Sequence, residues 1–408
     1  MTPVNQNSSP ELRCFIIAGE TSGDSLAAEL IQATRTASSS NPISWRGAGG
    51  EKMADAGVEI VVDLPSHAVV GLLEPLKKIG FFRKALNDLV ADAAAWNPDM
   101  VILVDSSGFN LRFAGRFLKT IEAAPYGSAI RPRMVYFISP QVWASRPKRA
   151  TLMESYFDCL LSIFPFEKGW YADRAPGLDV RFVGHPLVDR YPDFSPPPAG
   201  EWRIRPSADA CVALLPGSRR GEITNHWPVF LETIRLLRGK GLATEFVAVA
   251  PNASAASLIR SLTPGSDLQY LDIRTGSLDE TLPSADLAIA SSGTVTMECA
   301  WFRVPTVVVY KTSWLTYQIA RRVITVDWLA MPNLLAGEEI FPELIQNDLN
   351  SENLFAASEK LLTSTDTRSA IFKALDKITS SLGDRGPGQR AAGVLLALLN
   401  SKPSTLQQ

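Results

Sequence analysis

Three segments join small, flexible residues to groups that hold anions or move protons. Pro216-Gly217-Ser218-Arg219-Arg220-Gly221-Glu222 follows the apolar run Val212 to Leu215, so guanidinium groups stand where a strand empties into a tight turn. Arginine's planar fork suits phosphate oxygens. Ser291-Ser292-Gly293-Thr294 follows Leu287 to Ala290 and leads into the helical run Val295 to Ala300, which gathers hydroxyls, a glycine and backbone N–H groups at a helix start. Such a start seats an anion. Glu298 lies four residues past Thr294, one helical turn on, placed to accept hydrogen bonds from sugar hydroxyls. Together the two loops suggest a nucleotide diphosphate site. The alternatives are a solvated basic turn and an exposed helical carboxylate.

The third segment is Gly19-Glu20-Thr21-Ser22-Gly23-Asp24, after a strand ending in Ala18. Its glycines let backbone approach a ligand closely, though a plain strand–helix turn with Ser22 as helix cap explains it as well. It is neither G-x-G-x-x-G nor a P-loop. His185, in Val183-Gly184-His185-Pro186, ends another strand and either lines a cleft or packs a hinge. There is no D-x-D, and the three histidines, His67, His185 and His226, lack H-x-x-x-H spacing, so no obligatory metal is expected. The charge of a departing diphosphate then falls to Arg219 and a helix N-terminus.

These segments need strands to present them. Apolar runs at Cys14 to Ala18, Met100 to Val104, Met134 to Ile138, Cys159 to Ile163 and Val180 to Val183 alternate with helical patterns such as Ser22 to Thr36 and Leu111 to Ile121. That alternation predicts an α/β fold with parallel sheets buried on both faces. Three consecutive prolines in YPDFSPPPAGEW interrupt it and mark a domain junction. It restarts with Val212 to Leu215, a helix near Trp227 to Arg238, Glu245 to Ala250, a helix Ser254 to Leu262, Leu268 to Asp272, Leu287 to Ala290 and Thr306 to Tyr310. Two doubly wound domains follow, residues 1–190 and 206–350. After Lys311 the pattern is mostly helical, and the tail 351–408 is expected to pack on either domain or on a partner subunit.

With 408 residues, 46% hydrophobic and 20% charged, the chain has material for two cores and is no disordered or nucleic-acid-coating protein. Forty basic against forty-two acidic side chains give a net charge of -2, so an anion must be held locally. The cysteines, Cys14, Cys159, Cys211 and Cys299, form no C-x-x-C pair and read as buried thiols. The first thirteen residues carry no apolar signal core, and no run of eighteen apolar residues occurs, so a cytoplasmic location is expected. Val69 to Lys84 mixes Val69, Val70, Leu72, Leu73, Phe81 and Phe82 with four cations. This composition suits a membrane surface or, equally, an ordinary helix packed on the core.

Read in order, AGETSGD, GAGGEKMADAG, VVGLLEPL, DSSGFNLR, ISPQVWAS, FPFE, VGHPL, LLPGSRRGEI, SSGTVTMECA and PNLLAG resemble the lipid-A-disaccharide synthase family, inverting glycosyltransferases of bacteria. The resemblance runs from about Ile16 to Glu343. It implies a GT-B architecture, two Rossmann-like domains facing across a cleft, the first serving acceptor and membrane and the second the donor. It also implies that a UDP-linked 2,3-diacylglucosamine is joined to 2,3-diacylglucosamine 1-phosphate through a β-1,6 bond, with release of UDP. The family's place is peripheral, on the cytoplasmic face of the inner membrane, and its apolar patch matches Val69 to Phe82.

By the same resemblance, Ser218 and Arg219 hold the diphosphate, Ser292, Gly293 and Thr294 the same region, and Glu298 the ribose. Asn333, in Pro332-Asn333-Leu334-Leu335-Ala336-Gly337, maps to a nucleotide contact that a partner chain could supply in a homodimer with exchanged carboxyl-terminal segments. Family members often carry D-x-P-D-F-N, the second aspartate being a usual candidate for the general base. Here Asp105-Ser106-Ser107-Gly108-Phe109-Asn110 has glycine at that place, so the base is sought among Asp105, Asp24 and Glu20, with Asp105 favoured at the end of a central strand. W-A-W appears as Trp143-Ala144-Ser145, followed by Arg146, Lys148 and Arg149, a basic cluster suited to the acceptor's phosphate or, equally, a solvated surface. The rivals are a UDP-sugar 2-epimerase and a non-catalytic UDP-sugar-binding protein at the membrane.

Overall fold

The computed structural model of the chain describes residues 12–38, 42–67, 75–123, 131–194 and 210–401. It divides into two units, residues 1–189 with 382–408, and residues 190–381. In the first, Leu12–Ala18 (β1), Ile43–Ala48 (β2), Glu59–Val62 (β3), Met100–Val104 (β4), Arg133–Phe137 (β5), Cys159–Ser162 (β6) and Asp179–Phe182 (β7) form one sheet in the order β3-β2-β1-β4-β5-β6-β7. In the second, Cys211–Leu215 (β8), Glu245–Ala250 (β9), Leu271–Thr275 (β10), Leu287–Ser291 (β11), Thr306–Tyr310 (β12) and Glu343–Ile345 (β13) run β10-β9-β8-β11-β12-β13. Every paired strand is parallel to its neighbour.

In both sheets the strand order reverses beside the first strand, between β1 and β4 and again between β8 and β11. A crevice opens at the carboxyl ends of such strands, and ligands bind there in doubly wound folds. The segments beginning at Gly19, Asp105, Pro216 and Ser291 leave a strand at its carboxyl end. Central strands β4, β8 and β11 are buried at every residue, as strands covered on both faces require. Phe15 stacks on Phe113, which stacks on Phe117, fixing the helix Ser107–Glu122 against the first sheet. Each such side chain contributes about 1.5–3 kcal/mol through burial.

The four cysteines are buried and form no disulfide. Burial pushes the thiols of Cys159 and Cys299 up to about 12, which keeps them inert packing groups.

Two expectations are corrected here. The strand read at Leu268 to Asp272 begins at Leu271, because Gly265–Leu268 takes a helical turn first. The tail is not one body: helices Ser351–Thr363 and Thr365–Ser381 belong to the second unit, while Pro387–Asn400 returns to the first. There Arg390 Nε donates to the carbonyl of Val183 at 2.7 Å, and the Gly386 amide donates to Asp189 at 3.0 Å. Of the apolar patch, Val69, Val70, Leu72 and Leu73 lie outside the described residues. Phe81 and Phe82 are partly buried and pack on the first core, Phe81 with its ring 4.0 Å from that of His67.

Candidate active site

The second unit brings its two loops together. A cavity of about 400 Å³ is lined by Gly217, Ser218 and Arg219 after β8, by Ser291 to Thr294 after β11, and by Glu298. Ser291 Oγ is buried there without a hydrogen-bond partner among the described residues. A buried hydroxyl without a partner usually awaits a ligand or water. The amides of Gly293 and Thr294 likewise have no acceptor among the described residues. Glu298 is 7% exposed, and its Oε1 accepts from Tyr191 Oη at 2.8 Å and Arg190 Nη1 at 3.0 Å. It is therefore an oriented carboxylate and not the exposed helical one, with Oε2 left for a hydroxyl group.

Glu222, the last residue of the Pro216 to Glu222 segment, and His226 hold the loop that lines this cavity. Glu222, in the first turn of the helix Arg220–Gly239, accepts from the amides of Ser218 at 3.0 Å and Arg219 at 3.3 Å, and pairs with the Arg219 guanidinium. Its carboxylate fixes the loop's pose, and Gly217 at φ +115 leaves room for it, since a Cβ there would sit 2.5 Å from Oε2. His226, four residues on and fully buried, takes the Lys311 amide on Nε2 at 3.0 Å and has Nδ1 2.8 Å from the Pro216 carbonyl. Because Nε2 accepts, Nδ1 carries the proton, and burial lowers the ring's affinity for a second one. The i, i+4 spacing from Glu222 is the sequence signal that would have found it.

In the first unit, Asp105 and Ser106 both adopt left-handed backbone, at φ 48 and φ 41, where β4 turns into the helix Ser107–Glu122. Such conformations cost about 1–3 kcal/mol each and gather at functional sites. The strain is held by Asn110, whose Nδ2 donates to the carbonyls of Val104 at 3.0 Å and Asp105 at 2.8 Å, and by the hydroxyl of Tyr136 on the same Asp105 carbonyl. Burial raises the Asp105 carboxyl above its ordinary range, opposed in part by the Ser106 amide. The β1 loop closes against this turn: a Cβ at Gly19 would lie 2.6 Å from Ser106 Oγ, and one at Gly23 3.9 Å from Asp105 Cβ. Gly19 and Gly23 thus lie against the Asp105–Ser106 turn, with Ser22 exposed on the first turn of the helix Thr21–Ala37.

Other candidates are placed differently. Asp24 is 3% exposed, and its carboxylate accepts from the amides of Gly50 at 2.7 Å, Lys52 at 3.2 Å and Met53 at 3.3 Å, capping the helix Glu51–Asp55. Both of its oxygens are spent on backbone amides, the work of a structural cap. Asp24→Ala is expected to cost about 2–3 kcal/mol and lower Tm by roughly 5–10 °C, while the folded protein keeps its turnover. Loss of kcat at unchanged Tm would return Asp24 to the reaction. Glu20 is exposed at the start of the helix Thr21–Ala37. His185 packs on Phe164, its Nδ1 accepts from the Leu187 amide at 3.1 Å, and its own amide donates to the Leu382 carbonyl at 2.8 Å, all within the first unit.

Asn333, expected to touch nucleotide, is fully buried outside the cavity. Its Nδ2 donates to the Phe341 carbonyl and Glu343 and its Oδ1 accepts from the amides of Ile340 and Phe341, so its side chain is spent on its own chain. Glu167, in FPFE, is fully buried and accepts from Trp143 Nε1 at 3.1 Å and the Phe164 amide at 3.2 Å. Burial pushes it up to about 7. It ties the loop carrying Trp143 to the loop after β6, ahead of Arg146.

The profile of the lipid-A-disaccharide synthetase family matches residues 14–386. The chain belongs to that family. It is 35% identical to the lipid-A-disaccharide synthase of Geobacter metallireducens over 96% of this chain and 99% of that protein. It is 34% identical to lipid-A-disaccharide synthase 1 of Legionella pneumophila, strain Philadelphia 1, over 91% of this chain and 93% of that one. Among solved structures, the kitacinnamycin glycosyltransferase superposes with TM-score 0.61 at 13% identity, covering 96% of this chain and 100% of that one. A putative UDP-N-acetylglucosamine 2-epimerase from Listeria monocytogenes superposes with TM-score 0.59 at 14%, covering 95% and 96%. At such identities the likeness is one of GT-B fold alone. Membership makes this synthetase a glycosyltransferase of lipid A biosynthesis, and the epimerase is a fold relative only.

Proposed function

We propose that the protein joins UDP-2,3-diacylglucosamine to 2,3-diacylglucosamine 1-phosphate by one displacement that inverts the anomeric carbon and releases UDP. The observation that carries this reading is the single cavity shared by Ser218, Arg219, the Ser291 to Thr294 mouth and Glu298. Arg219 and the mouth amides neutralise the departing diphosphate, the electrostatic contribution that dominates such reactions. Glu298, oriented by Arg190 and Tyr191, takes the ribose.

Asp105 removes the proton of the acceptor's 6-hydroxyl as that oxygen attacks. Its raised affinity for protons suits the task, since a carboxylate at its ordinary value is a weak base at neutral pH. No described helix is long and apolar enough to cross a membrane. In this reading the protein works peripherally on the cytoplasmic face of the inner membrane. Dimerisation through exchanged tails would have to undo the bonds of Arg390 and Gly386 within one chain.

The test is to incubate purified protein with both acylated sugars and follow disaccharide and UDP by mass spectrometry. A disaccharide with equimolar UDP is expected. Conversion of UDP-N-acetylglucosamine to its manno epimer without acceptor, or UDP binding with no disaccharide formed, would contradict it.

A further inference from the structure

We infer that the groove between the helices Ser107–Glu122 and Arg149–Tyr156 is the seat of a phosphomonoester, the charged end of the acceptor; this rests on the transferase reading above. The cavity measures about 340 Å³, and its wall includes Ser107, Gly108, Arg112, Arg116, Lys119 and Arg149. Arg112, Arg116 and Lys119 fall at i, i+4 and i+7, one face of their helix, and Arg149 opposes them from the first turn of the other. Gly115 permits the closure, since a Cβ there would lie 2.8 Å from Tyr156 Oη.

Uncompensated charge sets this groove apart. Arg46, Arg235 and Arg303 each pair with an aspartate. Among the described residues, Arg112, Arg116, Lys119 and Arg149 pair with no carboxylate, and Arg116 reaches only the neutral Asn87 at 2.6 Å. Burial, then Arg146 and Arg112, lower the proton affinity of Arg149, which records the mutual repulsion. Like charges one helical turn apart destabilise, and a fold retains that cost where a ligand needs it. At Gly108, where a carboxylate would oppose an anion, there is only hydrogen and open space.

The ligand's chemistry follows. A phosphomonoester carries roughly −1.5 to −2 at neutral pH, which answers several cations, whereas a bilayer phosphodiester carries a single charge. The groove continues past Arg116 and Lys119 into a second cavity of about 420 Å³ lined also by Val90 and Ala91, so the charged seat adjoins apolar surface, as an acylated phosphate requires.

The experiment uses the full chain with Arg112→Gln, Arg149→Gln and Arg149→Lys. For the monosaccharide 1-phosphate in mixed micelles, KM is expected to rise roughly 10- to 100-fold for each glutamine, with kcat and donor KM within about threefold. Lysine should recover part of the loss, and Tm should hold or rise as repulsion is relieved. Flotation with phosphatidylglycerol or phosphatidylcholine vesicles should not distinguish variants from wild type. Unchanged acceptor KM, a defect confined to phosphatidylglycerol binding, or an equal loss of donor KM and Tm would each overturn the assignment. If wild type forms no disaccharide, the transferase reading fails by itself. Calorimetry with glucosamine 1-phosphate then decides the seat: binding that Arg112→Gln abolishes sustains it, and no binding to wild type removes it.

Discussion

Arg219→Ala is expected to lower kcat/KM for the UDP-sugar by roughly 10²–10³-fold, the usual effect of removing one charged donor from a developing anion, while Tm moves little. The stability half follows from exposure: the side chain is 68% accessible and its pairing with Glu222 is a surface i,i+3 contact, worth at most about 1 kcal/mol. The catalytic half follows from position, because Arg219 stands with the Ser291 to Thr294 mouth around one cavity. Arg219→Lys should restore only part of the rate, since an ammonium keeps the charge and loses the planar fork. Steady-state kinetics on the two variants, with Tm as the control, separates a phosphate contact from a structural one.

Asp105→Asn should move activity and stability in opposite directions. Losing a general base costs roughly 10²–10⁴ in kcat. Burial raises the Asp105 carboxyl above its ordinary 3.8, so the folded chain binds that proton more tightly than the unfolded chain does. Stability therefore falls as pH rises from the ordinary value through the raised one, and the cost of the buried charge is present in full above it. Asparagine removes that charge and tolerates the left-handed backbone at φ 48, so Tm at neutral pH should rise. For wild type, kcat/KM should decline as pH drops through the raised value, above the ordinary carboxylate range, and the variant should lack that limb. An Asn variant that is less stable and fully active would remove Asp105 from the reaction.

How far the fold could be read depended on burial. Strands β4 and β12 are covered apolar runs, and their limits were read to the residue. Strands β2, β3 and β13 were not read, because Ile43–Ala48 interleaves Ser44, Arg46 and Gly47, and Glu59–Val62 and Glu343–Ile345 are short edge strands that need few apolar residues. The two loops that share one cavity were legible because glycine, serine and arginine at a strand's end have few purely structural reasons to occur together. Arg190 and Tyr191 were not, since the chain brings them to Glu298 across more than a hundred residues. Nor was the burial of Asn333 or the capping by Asp24, where a motif residue spends its polar atoms on neighbouring backbone. Residue type gave the chemistry, and only the partners showed whether it was free to act.

The measurement that reaches the centre of the account is calorimetric titration of the full chain with UDP and, separately, with UMP. If the Arg219 loop and the Ser291 to Thr294 mouth hold one diphosphate, UDP should bind at least about tenfold more tightly than UMP, the worth of one further charge-assisted contact, and Arg219→Ala should erase the difference. Equal affinity for the two nucleotides, or no heat with UDP, would contradict it.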